Sequence, residues 1–267
     1  MEIFGKTFSI GADPEVFVSN NGAFMSGHSL IRGTKYEPMP VNKGAVQVDG
    51  MALEFNIDPA FSEEEFISNI TEVQSQLKEM ISPFDFMSET SVTFSREFLD
   101  DIPPENVMLG CDPDFNAYTM SVTPKPSAGK LMRTVGGHIH IGGFFTDSPY
   151  SREQIILSSR LAKLMDESVG IYSLLWDNDS QRRKMYGKAG SFRPKPYGME
   201  YRSLSNKWIW NKEIIRFVFE GTKEAITNFF NDNYQPNEEV ELIINKNLND
   251  HPLLKTEKAN FVRSLVC

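Results

Sequence analysis

The chain has 267 residues, and its 27 lysines and arginines against 36 aspartates and glutamates give a formal net charge of −9. A net acidic chain is a poor candidate for binding nucleic acid or an anionic membrane, because phosphate contacts need clustered basic residues. Hydrophobic residues make up 40% and charged residues 24%, an ordinary globular composition that excludes disorder as the main state.

The first part of the chain alternates extended segments with one helix. Residues 7–18 predict a strand, which Asn20-Asn21-Gly22 turns into a short second strand. Residues 26–44 are rich in Gly, Pro and Asn and predict a loop, whereas residues 45–57 alternate again and predict a strand. Behind a Ser-Glu capping box, apolar residues at helical spacing predict an amphipathic helix over residues 63–81.

The middle of the chain is less regular. Residues 90–94 predict a strand, and residues 100–130, which hold five prolines, predict a loop with short extended pieces. Residues 131–142 predict a further strand, and a second amphipathic helix begins at Ser151. Strands separated by long loops and by helices at uneven intervals favour an α+β fold with a mainly antiparallel sheet.

The last third begins with a polar, basic segment over residues 177–196, punctuated by Gly and Pro. Residues 197–204 predict a strand, and helical patterns follow over residues 211–231, 237–248 and 256–266. The absence of a basic leader followed by a long apolar run gives no secretion signal. Two cysteines, Cys111 and Cys267, form no disulfide framework, so we expect a cytoplasmic protein.

Four predicted strands carry polar pairs at i and i+2, which in a strand share one face. The pairs are Asp13 with Glu15, Glu54 with Asn56, His138 with His140, and Glu200 with Arg202. A solvated face, which is the alternative, would normally be richer in Thr, Lys, Ser and Gln. The pattern therefore favours a concave sheet face that binds metal ions, and carboxylates with one or two imidazoles suit Mg²⁺ or Mn²⁺. A zinc site is less favoured, since the whole chain has four histidines.

A local reversal of charge is the second signal. Between residues 182 and 207 the chain has eight basic residues and one acid, which leaves 19 basic and 35 acidic residues elsewhere. Three glycines in the same window allow the backbone to approach a ligand. Arginines next to a carboxylate cluster suit a nucleotide polyphosphate, although a solvated basic loop remains an alternative. No segment has the spacing of a Walker loop.

Five sequence elements together resemble a known family. They are IGADPEVFV, VDGMALEFN, GGHIHIGG, RRKMYGKAGSFRPKPYGMEYR and SLSNKW. They resemble the phage-type COOH–NH2 ligases, which are amidoligases of the glutamine synthetase/glutamate–cysteine ligase superfamily. The resemblance extends from about residue 8 to about residue 210.

The resemblance implies a curved antiparallel sheet around an ATP–metal site, with helices on its outer face. One catalytic domain would cover residues 1–267, with the helices of about 211–267 packing on it. The implied metal ligands are Asp13, Glu15, Glu54, His138 and Glu200. Asp49 is a candidate for an earlier acid of the second acidic strand.

The resemblance also implies roles for basic residues and for the second histidine. Arg193 and Arg202 would contact phosphate and stabilise the transferring phosphoryl group, and His140 would face substrate or phosphate. The further basic positions expected around the nucleotide are Arg133, Arg182, Arg183 and Lys188.

The implied reaction joins a carboxylate to an amine at the expense of ATP, through an acyl phosphate, with Mg²⁺ or Mn²⁺ as the metal. The expected partners are small-molecule or peptide carboxylates and amines, with no nucleic acid and no membrane. The location would be the host cytoplasm if a phage encodes the chain. A metal-dependent hydrolase built on the His-x-His and the acids, and a non-catalytic binding module on a ligase fold, remain alternatives. The sequence leaves the substrates and the oligomeric state open.

Overall fold

A computed structural model of the chain describes residues 1–107, 114–123, 131–143, 148–231 and 233–266. These residues form one large sheet, two small two-stranded sheets and a set of helices. The strands are β1 Glu2–Ile3, β2 Lys6–Thr7, β3 Ser9–Asn20, β4 Ala23–Met25, β5 Met39–Val41, β6 Gly44–Asp49, β7 Ala52–Ile57, β8 Asp85–Met87, β9 Ser91–Thr93, β10 Asp114–Asn116, β11 Ser121–Thr123, β12 Met132–Thr134, β13 Gly137–Gly142, β14 Ser191–Lys195 and β15 Gly198–Tyr201.

Most of the helices lie in the second half of the chain. The α-helices are α1 Glu63–Met80, α2 Arg96–Asp100, α3 Pro104–Val107, α4 Arg152–Met165, α5 Ser180–Met185, α6 Lys212–Phe229, α7 Glu239–Lys246 and α8 Glu257–Val266. A π-helical segment, Asp166–Gly170, continues α4, and 3₁₀ segments cover Tyr172–Leu175, Asn206–Trp210 and Pro252–Leu254. No helix in the described ranges is both long and apolar enough to cross a bilayer.

Within the described residues the main sheet has eleven strands, nine of them in the order β11–β10–β14–β15–β13–β3–β7–β6–β5. The remaining two, β4 and β8, also pair with β3. The paired strands named above all run antiparallel to their neighbours, so the predicted α+β class with a mainly antiparallel sheet is confirmed.

Helices α1, α4 and α6 pack on one face of the sheet and leave polar side chains on the other. On β7, Leu53 and Phe55 are buried in the same apolar cluster as Phe66 and Ile70 of α1, whereas the intervening Glu54 is only partly buried. Helices α4 and α6 contribute to the same cluster. Because alternate residues of a strand point to opposite faces, Glu54 lies on the face away from the helices.

Serine caps begin the first two long helices as the sequence predicts. The Ser62 side chain accepts a hydrogen bond from the Glu65 backbone N–H at the start of α1, and Ser151 does the same for Gln154 at the start of α4. Such caps stabilise a helix by about 1 kcal/mol each. The three helical patterns of the C-terminal third are confirmed as α6, α7 and α8.

Two of the predicted strands are wrong in detail. Residues 45–57 form a hairpin of β6 and β7 rather than one strand, because Gly50 has a positive φ of 59° that reverses the chain after Asp49. Residues 131–142 divide into β12 and β13, which belong to different sheets.

Short elements also occupy segments predicted as loops or left unassigned. The predicted loop over residues 26–44 contains β5, and the basic segment 177–196 contains α5 and β14. In the predicted loop 100–130, helix α3 and strands β10 and β11 lie in the described part, whereas residues 108–113 and 124–130 fall outside it. Cys111 and Cys267 also lie outside the described residues.

Candidate functional site

Four neighbouring strands bring the predicted acids and histidines together. In the pairing of β13 with β3, His138 lies opposite Asp13, and in the pairing of β3 with β7, Glu15 lies opposite Glu54. Strand β15 places Glu200 opposite His140 of β13. The period-two pattern of the sequence therefore converges on one patch of the sheet.

The first group in this patch is an acidic triad formed by Glu15, Asp49 and Glu54, with one carboxylate oxygen from each within 4.8 Å of the others. The β6–β7 hairpin supplies both Asp49 and Glu54, with Gln47 of β6 opposite Glu54. One oxygen of Glu15 accepts a hydrogen bond of 2.8 Å from the Gly136 backbone N–H.

Burial and mutual repulsion disfavour the charged forms of the acidic triad. Burial, followed by the charge of Asp49, raises the pKa of Glu15 from 4.5 to about 7. Burial likewise raises the pKa of Glu54 well above its ordinary value, and the nearby acids add to the effect. The pKa of Asp49 is raised chiefly by burial, although Lys35 and Arg202 oppose the rise.

A second group lies across β3 and contains Asp13, His140 and Glu200, with one ligand atom from each within 4.8 Å of the others. His140 Nε2 is 3.0 Å from Asp13 Oδ2, and its Nδ1 forms a short hydrogen bond with the Tyr197 hydroxyl. Burial alone would raise the pKa of Asp13, but the two histidines hold it well below its ordinary value.

His138 lies deeper than His140 and differs from it in its surroundings. Its Nδ1 atom is 3.2 Å from Asp13 Oδ1, 3.4 Å from Glu200 Oε1 and 3.2 Å from a nitrogen of Arg202. Burial and the neighbouring Arg202 charge lower the pKa of His138 to about 4, so the ring is neutral at pH 7. The glycine at 136 is needed here, since a Cβ would lie 2.3 Å from His138 Nε2.

The prediction made His138 the metal ligand and turned His140 towards substrate. The compact ligand group contains His140, whereas His138 has Arg202 against its Nδ1 atom. The metal-ligand role of His138 stays a prediction.

A cation cluster surrounds Glu200, whose side chain is fully buried. Lys195 Nζ is 2.8 Å and Arg193 Nη1 is 3.4 Å from Glu200 Oε2, while Arg202 makes a short ion pair with Oε1. We use the name cation cluster for Arg193, Lys195 and Arg202. Arg193 and Arg202 also meet Asp114 of β10, at 3.2 Å and 2.8 Å.

The three cations are not equally accessible. The side chains of Lys195 and Arg193 are 27% and 14% exposed, whereas that of Arg202 is 5% exposed. Arg202 also donates a hydrogen bond of 2.7 Å to the Tyr186 hydroxyl. Lys195 and Arg193 are therefore the members best placed to reach a ligand, and Arg202 organises the side chains around it.

The acidic triad and the cation cluster line one cleft of about 270 Å³. Asp13 and His138 also line it, and further lining residues come from the surrounding loops and strands, among them Lys35, Gln47, Asn106, Arg133 and Tyr186. The cleft is thus acidic where β3, β6 and β7 meet and basic at β14 and just after β15, so it can hold cations and anions side by side.

Not every basic residue predicted for the nucleotide reaches this cleft. Arg182 is fully buried and donates to the backbone carbonyls of Val135, Ser203 and Leu204. Arg183 is buried too and donates to the Asp177 carbonyl at 3.0 Å. The prediction that Arg182 and Arg183 contact the nucleotide directly is therefore wrong, because their buried guanidinium groups donate hydrogen bonds to backbone carbonyls inside the fold.

The other two basic positions differ from each other. Arg133 lines the cleft, although its guanidinium donates to the carbonyls of Val107 and Met132. Lys188 is exposed, and its backbone carbonyl accepts a hydrogen bond from the Ser203 hydroxyl. Lys188 is not among the described residues that line the cleft.

Sequence reasoning did not assign three participants to the site. Lys195 stands two residues after Arg193 on β14, so the same period-two rule could have found it. Asp49 was only a candidate, because the hairpin that aims it at Glu54 was not recognised. Asp114 gave no usable signal, since it belongs to a short strand in a segment predicted as loop.

The donor set fits divalent cations. Carboxylates dominate both groups, and one imidazole completes the second, which suits Mg²⁺ or Mn²⁺. His138 Nε2 is buried and has no hydrogen-bond partner among the described residues. Buried polar atoms without a partner are rare, so this atom points to a ligand.

The family model described as phage phiEco32-like COOH–NH2 ligase, type 2, matches residues 130–245. The resemblance to this ligase family is confirmed over that segment. The matched segment includes β13, the cation cluster and α6, and the match supports a C–N ligase. No curated protein matches the chain.

Among solved structures, the chain is similar to a crystal structure described as a novel glutamine synthase homolog. The TM-score is 0.41 and the sequence identity is 9%, over 97% of this chain and 65% of the other. The chain therefore spans a little less than two thirds of the length of that structure.

Proposed function

We propose that the chain is an ATP-dependent ligase that joins a carboxylate to an amine, with Mg²⁺ or Mn²⁺ as its metal. The observation that carries the proposal is the single cleft in which the acidic triad borders the cation cluster. A nucleotide triphosphate with its metal ions presents both charges that such a cleft complements. The family match over residues 130–245 is the second support.

The acids would hold the metal in two places. Glu15, Asp49 and Glu54, which line the cleft, would form one site; Asp13, His140 and Glu200 are a second candidate ligand group, of which Asp13 lines the cleft. A divalent ion bound there supplies neutralisation of the phosphate charge. His138 would keep Asp13 and Glu200 in place through its Nδ1 contacts.

The cations would hold the phosphates. Lys195 and Arg193 reach the cleft surface from one strand and would contact the terminal phosphates, while Arg202 fixes their common partner Glu200. In the first step an oxygen of the substrate carboxylate attacks the γ-phosphorus of ATP, and the bond between the γ-phosphorus and the β-phosphate oxygen breaks. The products are an acyl phosphate and ADP. In the second step the amine attacks the acyl carbon, phosphate leaves, and the amine loses a proton.

A hydrolase that uses the same acids and histidines is the main competing function. It would need an activated water at a metal with an open position. It would give no role to the three cations gathered round Glu200, which are the feature that a phosphate ligand explains. For this reason the ligase is the better proposal.

Calorimetric titration of the full chain with a non-hydrolysable ATP analogue tests the proposal, with and without Mg²⁺ or Mn²⁺. We expect binding that depends on the metal. Arg193→Gln should weaken it by about 10-fold or more, because a charge-assisted hydrogen bond is worth about 1.5–3 kcal/mol. Arg152→Gln on the exposed start of α4 is the matched control and should bind like the wild type.

The absence of metal-dependent nucleotide binding by the wild-type protein would contradict the proposal. Zinc that stays bound through chelation, without any affinity for the analogue, would favour the hydrolase instead. Equal weakening by Arg193→Gln and Arg152→Gln would show that general charge, and not the cation cluster, attracts the nucleotide.

A further inference from the structure

Asp114 lies beside the cation cluster without lining the cleft. It begins β10, and the pairing of Phe115 with Phe192 places it next to Arg193 of β14. Its side chain is only 10% exposed. Among the described residues that line the cleft are Arg193 and Arg202, but not Asp114. Any effect of Asp114 on a ligand must therefore pass through its neighbours.

Those neighbours are the two arginines. Asp114 Oδ1 accepts a hydrogen bond of 3.2 Å from Arg193 Nη2 and lies 2.8 Å from Arg202 Nε. The contact with Arg202 is an ion pair and not an aligned hydrogen bond. One carboxylate oxygen thus joins guanidinium groups from β14 and from the segment after β15.

Glu200 also contacts both arginines, but it has further contacts. Its Oε1 atom lies 3.4 Å from His138, and its Oε2 atom lies 2.8 Å from Lys195. It also belongs to the ligand group with Asp13 and His140. Besides Glu200, Asp114 is the described acid that contacts both Arg193 and Arg202.

We propose that Asp114 is a positioning residue, which fixes Arg193 and Arg202 in the orientation that a transferring phosphoryl group requires. The inference rests on the proposed function, since it assumes that the arginines act on phosphate. Stabilising a transferring group demands donors that are already oriented, whereas attracting an anion demands only positive charge.

Removing the charge of Asp114 should affect the attraction of an anion and the orientation of the arginines in opposite ways, and this difference makes the inference testable. Arg193, Lys195 and Arg202 carry three positive charges against the two negative charges of Glu200 and Asp114. Asp114→Asn removes one negative charge, so simple attraction for ADP should not weaken. It also removes one of the two carboxylates that hold both guanidinium groups, so selectivity for the geometry of phosphoryl transfer should fall.

The probes are ADP with Mg²⁺, and the same mixture with aluminium fluoride, which mimics the transferring phosphoryl group. Affinities are measured by calorimetry on the full chain. We expect Asp114→Asn to change the ADP affinity by less than about threefold. The preference for the fluoride complex over ADP should fall by about 10–100-fold, the usual cost of removing a partner that orients a ligand-binding group. Asp100→Asn, an exposed position, is the matched control.

A double-mutant cycle separates positioning from a general effect. In an Arg193→Gln background, Asp114→Asn should remove less of the preference than it does in the wild type, because one of the groups it orients is already gone. Equal losses in both backgrounds would overturn the inference. So would a uniform loss of ADP and fluoride-complex affinity, or no loss at all.

If Asp114→Asn does not fold, Asp114→Glu keeps the charge and displaces the carboxylate by one methylene; the same loss of preference is expected, and an unchanged preference would overturn the inference. If the wild-type protein binds neither probe, the proposed function fails. If it binds both and Asp114→Asn behaves like Asp100→Asn, the inference alone fails.

Discussion

The partly buried carboxylates of the acidic triad and the fully buried carboxylate of Glu200 have opposite electrostatic settings. In the triad, Glu15, Asp49 and Glu54 face one another within 4.8 Å, and burial with like charge raises their pKa values. Glu200 instead lies among Arg193, Lys195 and Arg202. The triad therefore gains from a bound cation, whereas Glu200 already has its counter-charges.

This difference shows why a net charge of −9 says little about the ligand. The acidic triad attracts a cation and the cation cluster around Glu200 attracts an anion, and both line one cleft. The sign of a substitution's effect should therefore depend on which group it alters, even when the chemical change is the same. Glutamate to glutamine provides that comparison.

The largest expected effect is at Glu200. Glu200→Gln leaves three cations with less counter-charge inside the fold, and breaking a buried ion pair in this way costs about 3–5 kcal/mol. We expect that loss in the free energy of unfolding, measured with denaturant in metal-free buffer. Glu64→Gln on the exposed face of α1 is the control and should change stability by less than about 0.5 kcal/mol. A Glu200→Gln protein as stable as the wild type would contradict the contrast between Glu200 and the acidic triad.

The opposite sign is expected at Glu15. Its pKa of about 7 in the folded protein exceeds the ordinary 4.5, so the folded state binds this proton more tightly, and the contribution of Glu15 to stability is greatest below pH 4.5. This stability is lost as the pH rises from 4.5 through about 7. Glu15→Gln removes the carboxylate and keeps an acceptor for the Gly136 N–H.

We therefore expect the metal-free Glu15→Gln protein to be more stable than the wild type at pH 8, by up to about 3 kcal/mol. The gain should shrink towards zero near pH 4, and denaturant unfolding across this range measures it. With Mg²⁺ present the order should reverse, because the wild type gains the stability of a bound cation. Glu64→Gln again serves as the control. A gain that does not depend on pH would show that repulsion in the triad is not its cause.

The polar face of the sheet was predictable because strand periodicity is a local property. Asp13, Glu15, Glu54 and Glu200 lie on it since each alternates with an apolar residue that the core requires. The antiparallel α+β class followed from the same alternation and from the spacing of the helices.

What could not be predicted depends on contacts between distant segments. Arg182 resembles a phosphate ligand in sequence, but it donates to the carbonyls of Val135 and Ser203, which lie 47 and 21 residues away. Asp114 meets Arg193 across 79 residues. Residue type gives a side chain its possible partners, and only the packed chain selects among them.

The smallest expected effect separates the members of the cation cluster. Lys195 is 27% exposed, and burial together with the charge of Arg193 lowers its pKa, so its charge is held less firmly than that of an isolated lysine. Lys195→Met should therefore cost no more than about 1 kcal/mol of unfolding free energy, the value of a partly exposed ion pair. Denaturant unfolding beside Glu200→Gln measures the difference. A loss as large as that of Glu200→Gln would show that Lys195 is the essential counter-charge of Glu200, and that Arg193 and Arg202 serve Asp114 instead.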